Sequence, residues 1–254
     1  EKVYRHEYGK LVAILTKQFG LNFLEEIEDS VQWSMMQAIE HLSSGVHENN
    51  LPAWLYKVAR NQLISELRKT RRRDDLLKNN TLESNFLIKD NIPFSGELSD
   101  SLLRMLFVSC HENITTDSQL VFTLKTLCGF SIKEIASRLF ISEANVYKRF
   151  SRAKTSLAKE QLSLDKISFA KMKIRLPAVQ NVLYLLFTEG YLSNHEKTAV
   201  RNELCIEALR LTHLLTKSDV GNQPSSNALF ALMHLHYARI NTRLDKQGEL
   251  TLLE

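Results

Sequence analysis

Apolar residues in this chain return every three or four positions in segment after segment, a period that amphipathic helices satisfy and strands do not. In "EYGKLVAILTKQFG", Leu11, Val12, Leu15 and Phe19 form one stripe. In "LEEIEDSVQWSMMQAIEHL" the stripe is Ile27, Val31, Met35, Ala38 and Leu42. In "LPAWLYKVARNQLISELRKTRRR" it is Leu55, Val58, Ala59, Leu63 and Leu67, and Pro52 stands at a favoured first helical position. With 8 Gly and 4 Pro in 254 residues, the chain has too few turn formers for a strand-rich fold. An all-α protein is expected.

Three blocks are visible. The first covers residues 1–73. Residues 74–99, "DDLLKNNTLESNFLIKDNIPFSGELS", lose the helical period and collect Asn, Asp, Ser, Pro and Gly, which predicts an extended linker. The second block covers 100–162. After a polar stretch, residues 170–254 hold three more apolar segments that predict helices packed on one another.

The second block contains "FSIKEIASRLFISEANVYKRFSRAK". Ser131 and Glu134 have the spacing of a capping box, and Ser142 is placed to cap a following helix. Ile135, Ala136 and Leu139 face inward on the first helix, as do Val146, Phe150, Ala153 and Leu157 on the second. Asn145, Lys148, Arg149 and Arg152 then lie outside. Arg reads guanine, Asn reads adenine and Lys neutralises phosphate, so this face suits a duplex major groove. Two short capped helices with a tight turn predict a helix-turn-helix. A plain helical hairpin in a bundle is the competing reading.

Net charge is only +4, but the charge is segregated. Glu25 to Glu48 holds six acidic residues and no Lys or Arg; Pro52 to Arg73 holds seven basic residues against one Glu. Such separation predicts more than one partner surface. On the helix after Pro52, Lys57, Arg60, Asn61 and Arg68 are predicted to share an outer face, with Arg71, Arg72 and Arg73 following. Trp54 and Tyr56 are placed to stack on unpaired bases or to pack inside. The acidic helix before it should repel nucleic acid and contact protein.

No HExxH, CxxC or glycine-rich phosphate loop occurs, so no enzyme, metal site or cofactor is expected. His234 and His236 would diverge on a helix, and Cys110 beside His111 lacks an orienting partner. Three cysteines form no disulfide framework, and no run is apolar enough for a membrane span, which fits a reducing cytoplasm. The chain starts at Glu1, so a few residues are expected upstream.

Two basic modules, a linker and an acidic helix in this order resemble an extracytoplasmic-function (ECF) sigma factor of bacterial RNA polymerase. "EDSVQWSMMQAIEHL" looks like the polymerase-docking helix of sigma region two, "PAWLYKVARNQLISELRK" like the helix that reads the −10 element, and "FTLKTLCGFSIKEIASRLFISEANVYKRFSRAKTSL" like region four, which reads the −35 element. "RLPAVQNVLYLLFTEGY" followed by "RNELCIEALRLTHLL" is similar to the helical, tetratricopeptide-like extension of one subgroup. Glu112 stands where that subgroup is expected to have Pro. Its extension usually runs beyond Glu254, which implies a longer parent chain.

The resemblance implies core RNA polymerase and promoter DNA as partners. Asp29 and Gln32 would dock on the polymerase; Trp54, Lys57, Arg60, Asn61 and Arg68 would engage −10 DNA, with Asn61 and "SSGVHENN" holding a flipped base. Asn145, Lys148, Arg149 and Arg152 would hold the −35 duplex. The linker would thread near the RNA exit path, and the C-terminal block would regulate docking from within the chain. A helix-turn-helix regulator acting without stable polymerase binding would account for the second block, and a helical scaffold for the third, but neither for all three.

Overall fold

The computed structural model describes residues 2–43, 50–78, 95–160, 163–191 and 201–240. Among them are ten α-helices, two short 3-10 turns and no strand, as an all-α chain requires. The first block forms α1 (Lys2–Phe19), α2 (Leu24–Ser43) and α3 (Leu51–Lys78). The second forms α4 (Ser95–Ser109), α5 (Thr116–Thr126), α6 (Ile132–Leu139) and α7 (Glu143–Lys159). The third forms α8 (Phe169–Tyr191), α9 (Asn202–Thr216) and α10 (Pro224–Ala238). Helix thus occupies both ends of the segment predicted as a linker. Residues 79–94 of that segment, and 44–49 of the "SSGVHENN" loop, lie outside the described residues.

Most residues of the predicted stripes are buried, with Val58 half-buried. Leu11, Val12 and Leu15 of α1, Ile27 and Val31 of α2, and Ala59 and Leu63 of α3 are all sealed from solvent. α2 lies along α3, with α1 packed on both. α5, α6 and α7 form a second cluster, and α8, α9 and α10 a third. α8 begins before its predicted start and carries Pro177 within it, which leaves one backbone hydrogen bond unmade and crowds the preceding turn.

The three clusters share one apolar core. α1 also packs on α4 and α5, and glycine permits the closest approach. A Cβ on Gly9 would lie 2.1 Å from the Leu127 carbonyl oxygen. Gly129, at φ 68°, turns the chain from α5 into α6 against the Tyr8 ring; a Cβ there would stand 2.9 Å from that ring.

Candidate nucleic-acid interface

The helix-turn-helix forms as its caps dictate. Ser131 Oγ accepts from the Glu134 amide at 3.2 Å, and Glu134 Oε2 accepts from the Ser131 amide at 2.8 Å, closing the capping box. Ser142 Oγ accepts from the Asn145 amide at 3.2 Å and starts α7. Val146, Phe150, Ala153 and Leu157 are buried, and Phe150 stacks on Phe122 of α5. This orientation leaves Lys148 and Arg152 exposed and Asn145 and Arg149 half-buried. Arg149 Nη2 meets Asp117 Oδ2 at 3.0 Å, with the Asp side exposed. A solvent-facing pair of this kind is worth only about 0–1 kcal/mol, so a phosphate or base could take Arg149 over at little cost. Tyr147, 62% exposed, stands beside Lys148 on the same face and was not singled out by sequence reasoning. Its signal was its position, off the buried stripe and adjoining a cation.

On α3, Lys57, Asn61 and Arg68 are exposed, as predicted. Arg60 is not: it is 7% exposed. It lies four residues after buried Tyr56 and three before buried Leu63, which places it inside the apolar stripe and off the outer face. Of the two readings of Tyr56, the structure takes the packed one: it is buried, and its hydroxyl pairs with the Gln18 carboxamide of α1 at 2.8–2.9 Å. Trp54 is half-buried, its ring stacked on His41 with centroids 5.2 Å apart. The side chains of Arg71, Arg72 and Arg73 lie outside the described residues.

α2 presents a mixed face. Asp29 and Gln32 are exposed. Beside them stand Trp33, Met36 and Ile39, at 40%, 60% and 67% exposure. These three large apolar residues fall outside the stripe that packs on α3, and sequence reasoning passed over that surplus. The acidic character of α2 is partly spent inside the chain. Glu25 Oε1 meets Lys154 Nζ of α7 at 2.7 Å, and Glu28 Oε2 accepts from Lys125 Nζ of α5 at 2.8 Å. Burial, only partly offset by Lys125, raises the Glu28 carboxyl to about 7. Its other oxygen has no hydrogen bond among the described residues, which also favours the protonated form.

All three cysteines are buried and none is in a disulfide, and burial pushes the Cys110 thiol up to about 12. His111 is buried, its Nδ1 accepting from the Asn113 amide. His234 packs on Phe230 while His236 packs on Tyr191, so the two diverge. No group of three His, Cys, Asp or Glu residues is placed to hold a metal among the described residues. No described helix is long and apolar enough to cross a membrane.

Comparison with known proteins follows the same divisions. Residues 3–73 match sigma-70 region 2, residues 104–157 match sigma-70 region 4, and residues 175–254 match a family of unknown function, DUF6596. The chain is 29% identical over 240 residues to an uncharacterized protein of Rhizobium meliloti (strain 1021), covering 91% of this chain and 55% of that one. It is 26% identical over 160 residues to the ECF RNA polymerase sigma-E factor of Salmonella typhimurium (strain LT2), covering 61% of this chain and 80% of that one. For the factor of the same name from Haemophilus influenzae the figures are 28% over 152 residues, 58% and 78%. No solved structure matches. The chain thus carries sigma-70 region 2, sigma-70 region 4 and a DUF6596 domain in that order, and over its first two parts it is similar to extracytoplasmic-function sigma factors.

Proposed function

We propose that the protein initiates transcription by bringing core RNA polymerase to a two-part promoter. Two units, residues 1–73 and 100–162, are joined by the segment 74–99 and followed by the regulatory block 170–254. The exposed face of α2, with Asp29, Gln32, Trp33, Met36 and Ile39, docks on the polymerase. Lys57, Asn61 and Arg68 of α3 hold −10 DNA, with Trp54 at the edge of that face. Asn145, Lys148, Arg149 and Arg152 of α7 hold the −35 duplex. Placement in the cytoplasm follows from these partners.

One observation carries this reading: exposed cations stand on α3 and on α7, while the exposed face of α2 carries acidic and large apolar residues. Cationic faces supply phosphate-driven affinity that falls with salt. The α2 face, carrying no Lys or Arg, suits protein. Transcription from a promoter library with core polymerase tests it. Arg149→Ala with Arg152→Ala should weaken dependence on the −35 element by roughly tenfold or more, the discrimination one or two base contacts provide. Core binding should stay at wild-type strength; an equal loss of core binding would refute the assignment.

A further inference from the structure

The third helical cluster grips the helix-turn-helix at the end of its first helix. There the chain leaves α6 through Phe140, a non-glycine residue in the left-handed region at φ 53°, ψ 40°. The Phe140 and Ile141 amides both return to the Ala136 carbonyl. The last carbonyls of a helix need partners from elsewhere. Those of Ser137 and Arg138 receive them from one side chain at the start of α9. Arg201 Nη1 donates to the Arg138 oxygen at 2.7 Å and Nη2 to the Ser137 oxygen at 3.2 Å. The same guanidinium lies over the Phe140 ring, 5.2 Å from its centroid.

Neighbouring contacts stiffen this arrangement. Arg138 Nη2 meets Glu203 Oε2 at 2.7 Å, and the Arg138 guanidinium sits 4.4 Å over the ring of buried Phe130. The Arg201 amide donates to the Gly190 carbonyl at 2.7 Å, tying it to the end of α8. Behind it, Gly190 brings α8 so close to α9 that a Cβ there would stand 2.8 Å from Cys205 Sγ. A planar fork backed by two packed helices thus holds both carbonyls and the turn. A cation at that place also complements the negative end of α6.

We propose that Arg201 is a positioning residue for promoter recognition. Through it the C-terminal cluster fixes the turn at Phe140, and with it the angle at which α7 meets a duplex. The inference rests on reading α7 as the duplex-binding helix. It adds that the DUF6596 region acts on that helix through the α6 turn, without touching DNA. The exposed face of α7 stays uncovered in this arrangement: Tyr147, Lys148, Ser151 and Arg152 all face solvent. The contact is therefore a brace and not a block.

The test uses the full chain bound to core polymerase. Two duplex probes are compared: the −35-type sequence selected by the wild-type holoenzyme from a random library, and a scrambled version. Arg201→Ala should lower the ratio of selected to scrambled affinity about tenfold, the discrimination of one well-placed base contact. Affinity for the scrambled duplex and for core polymerase should not change. Amide exchange should speed up at residues 137–141. Arg201→Lys keeps the charge but loses the two-pronged geometry, and should fall between the two.

An unchanged ratio in Arg201→Ala, or equal loss on both duplexes, overturns the proposal. Should Arg201→Ala fail to fold, Arg201→Lys decides, and a wild-type ratio there overturns it. If the wild-type protein selects no −35-type sequence or binds no core polymerase, the underlying reading of α7 falls, and the brace falls with it.

Discussion

Replacing Glu28 with Gln tests the most unusual electrostatic feature of the fold. The Glu28 carboxyl is 3% exposed and lies between α2 and α5, with Lys125 Nζ at 2.8 Å. Burial outweighs Lys125 and raises its pKa from 4.5 to about 7. That gap corresponds to about 3 kcal/mol. The sign follows from proton counting: the folded protein holds a proton on Glu28 between pH 4.5 and 7 that the unfolded chain has released. Stability from this group is therefore full below pH 4.5 and is lost as pH rises through 7. A glutamine side chain at this position is isosteric and does not titrate.

Urea unfolding of both proteins from pH 5 to pH 8 measures the effect. The stability of Glu28→Gln minus that of wild type should rise by about 2–3 kcal/mol across this range. Leaving Lys125 beside a neutral amide adds a cost that is nearly the same at every pH, so the change with pH carries the result. All other titrating groups are common to both proteins and cancel. A carbon-13 carboxyl titration of Glu28 should place its midpoint near 7 directly. Parallel curves, or a difference that shrinks with pH, would mean that the ion pair holds Glu28 charged, and would refute the balance of burial over attraction.

Two further outcomes are expected. Gly9→Ala would stabilise an ordinary helix by up to about 1 kcal/mol, yet here the new Cβ meets the Leu127 backbone at 2.1 Å, and overpacking of about 1–3 kcal/mol should win. Thermal unfolding reads this, and a raised midpoint would show that α1 and α5 are not in contact. Trp33→Ala with Met36→Ala should leave stability within about 0.5 kcal/mol and weaken core polymerase binding at least tenfold, as loss of an exposed aromatic anchor does; unchanged binding in a pull-down would remove α2 as the docking helix.

Local signals in the sequence carried far. The capping box at Ser131, the cap at Ser142 and the stripe Val146–Phe150–Ala153–Leu157 are short-range features, and all three stand in the structure. Arg60 shows where the pattern misled. A cation spaced three residues after Lys57 and directly before Asn61 belongs equally well to two faces of a helix, and only the neighbours across the core decide between them. Tyr56 was left open between stacking and packing for the same reason, since its partner Gln18 is 38 residues away. Glu112 is the reverse case. Where the resemblance led to an expected Pro, it accepts from Arg175 Nε at 2.9 Å, and Arg175 is 4% exposed in α8. What seemed a small departure is a tie between the second and third blocks. Arg201 had no signal at all, because its role exists only where α9 meets α6.

These ties converge on one peptide group. The Leu127 carbonyl lies against Gly9 of α1 and accepts from Arg210 Nη2 of α9 at 3.4 Å. All three sequence blocks therefore meet at the end of α5. The cost of parting the first block from the second is set by buried apolar packing, here and along α1 against α4, and not by surface ions. Lys154 and Glu25 form an accessible pair worth about 0–1 kcal/mol. Tyr8, 1% exposed against Gly129, and buried Leu127 each represent about 1.5–3 kcal/mol of apolar burial. The third block grips α4, α5 and the α6 turn through Arg175, Arg210 and Arg201. If promoter engagement parts the two DNA-binding units, the C-terminal helices travel with the −35 unit and the break opens along α1. Amide exchange in the promoter complex would then rise at residues 7–15 while residues 201–212 keep their protection; the opposite pattern would place the hinge on the other side of α5.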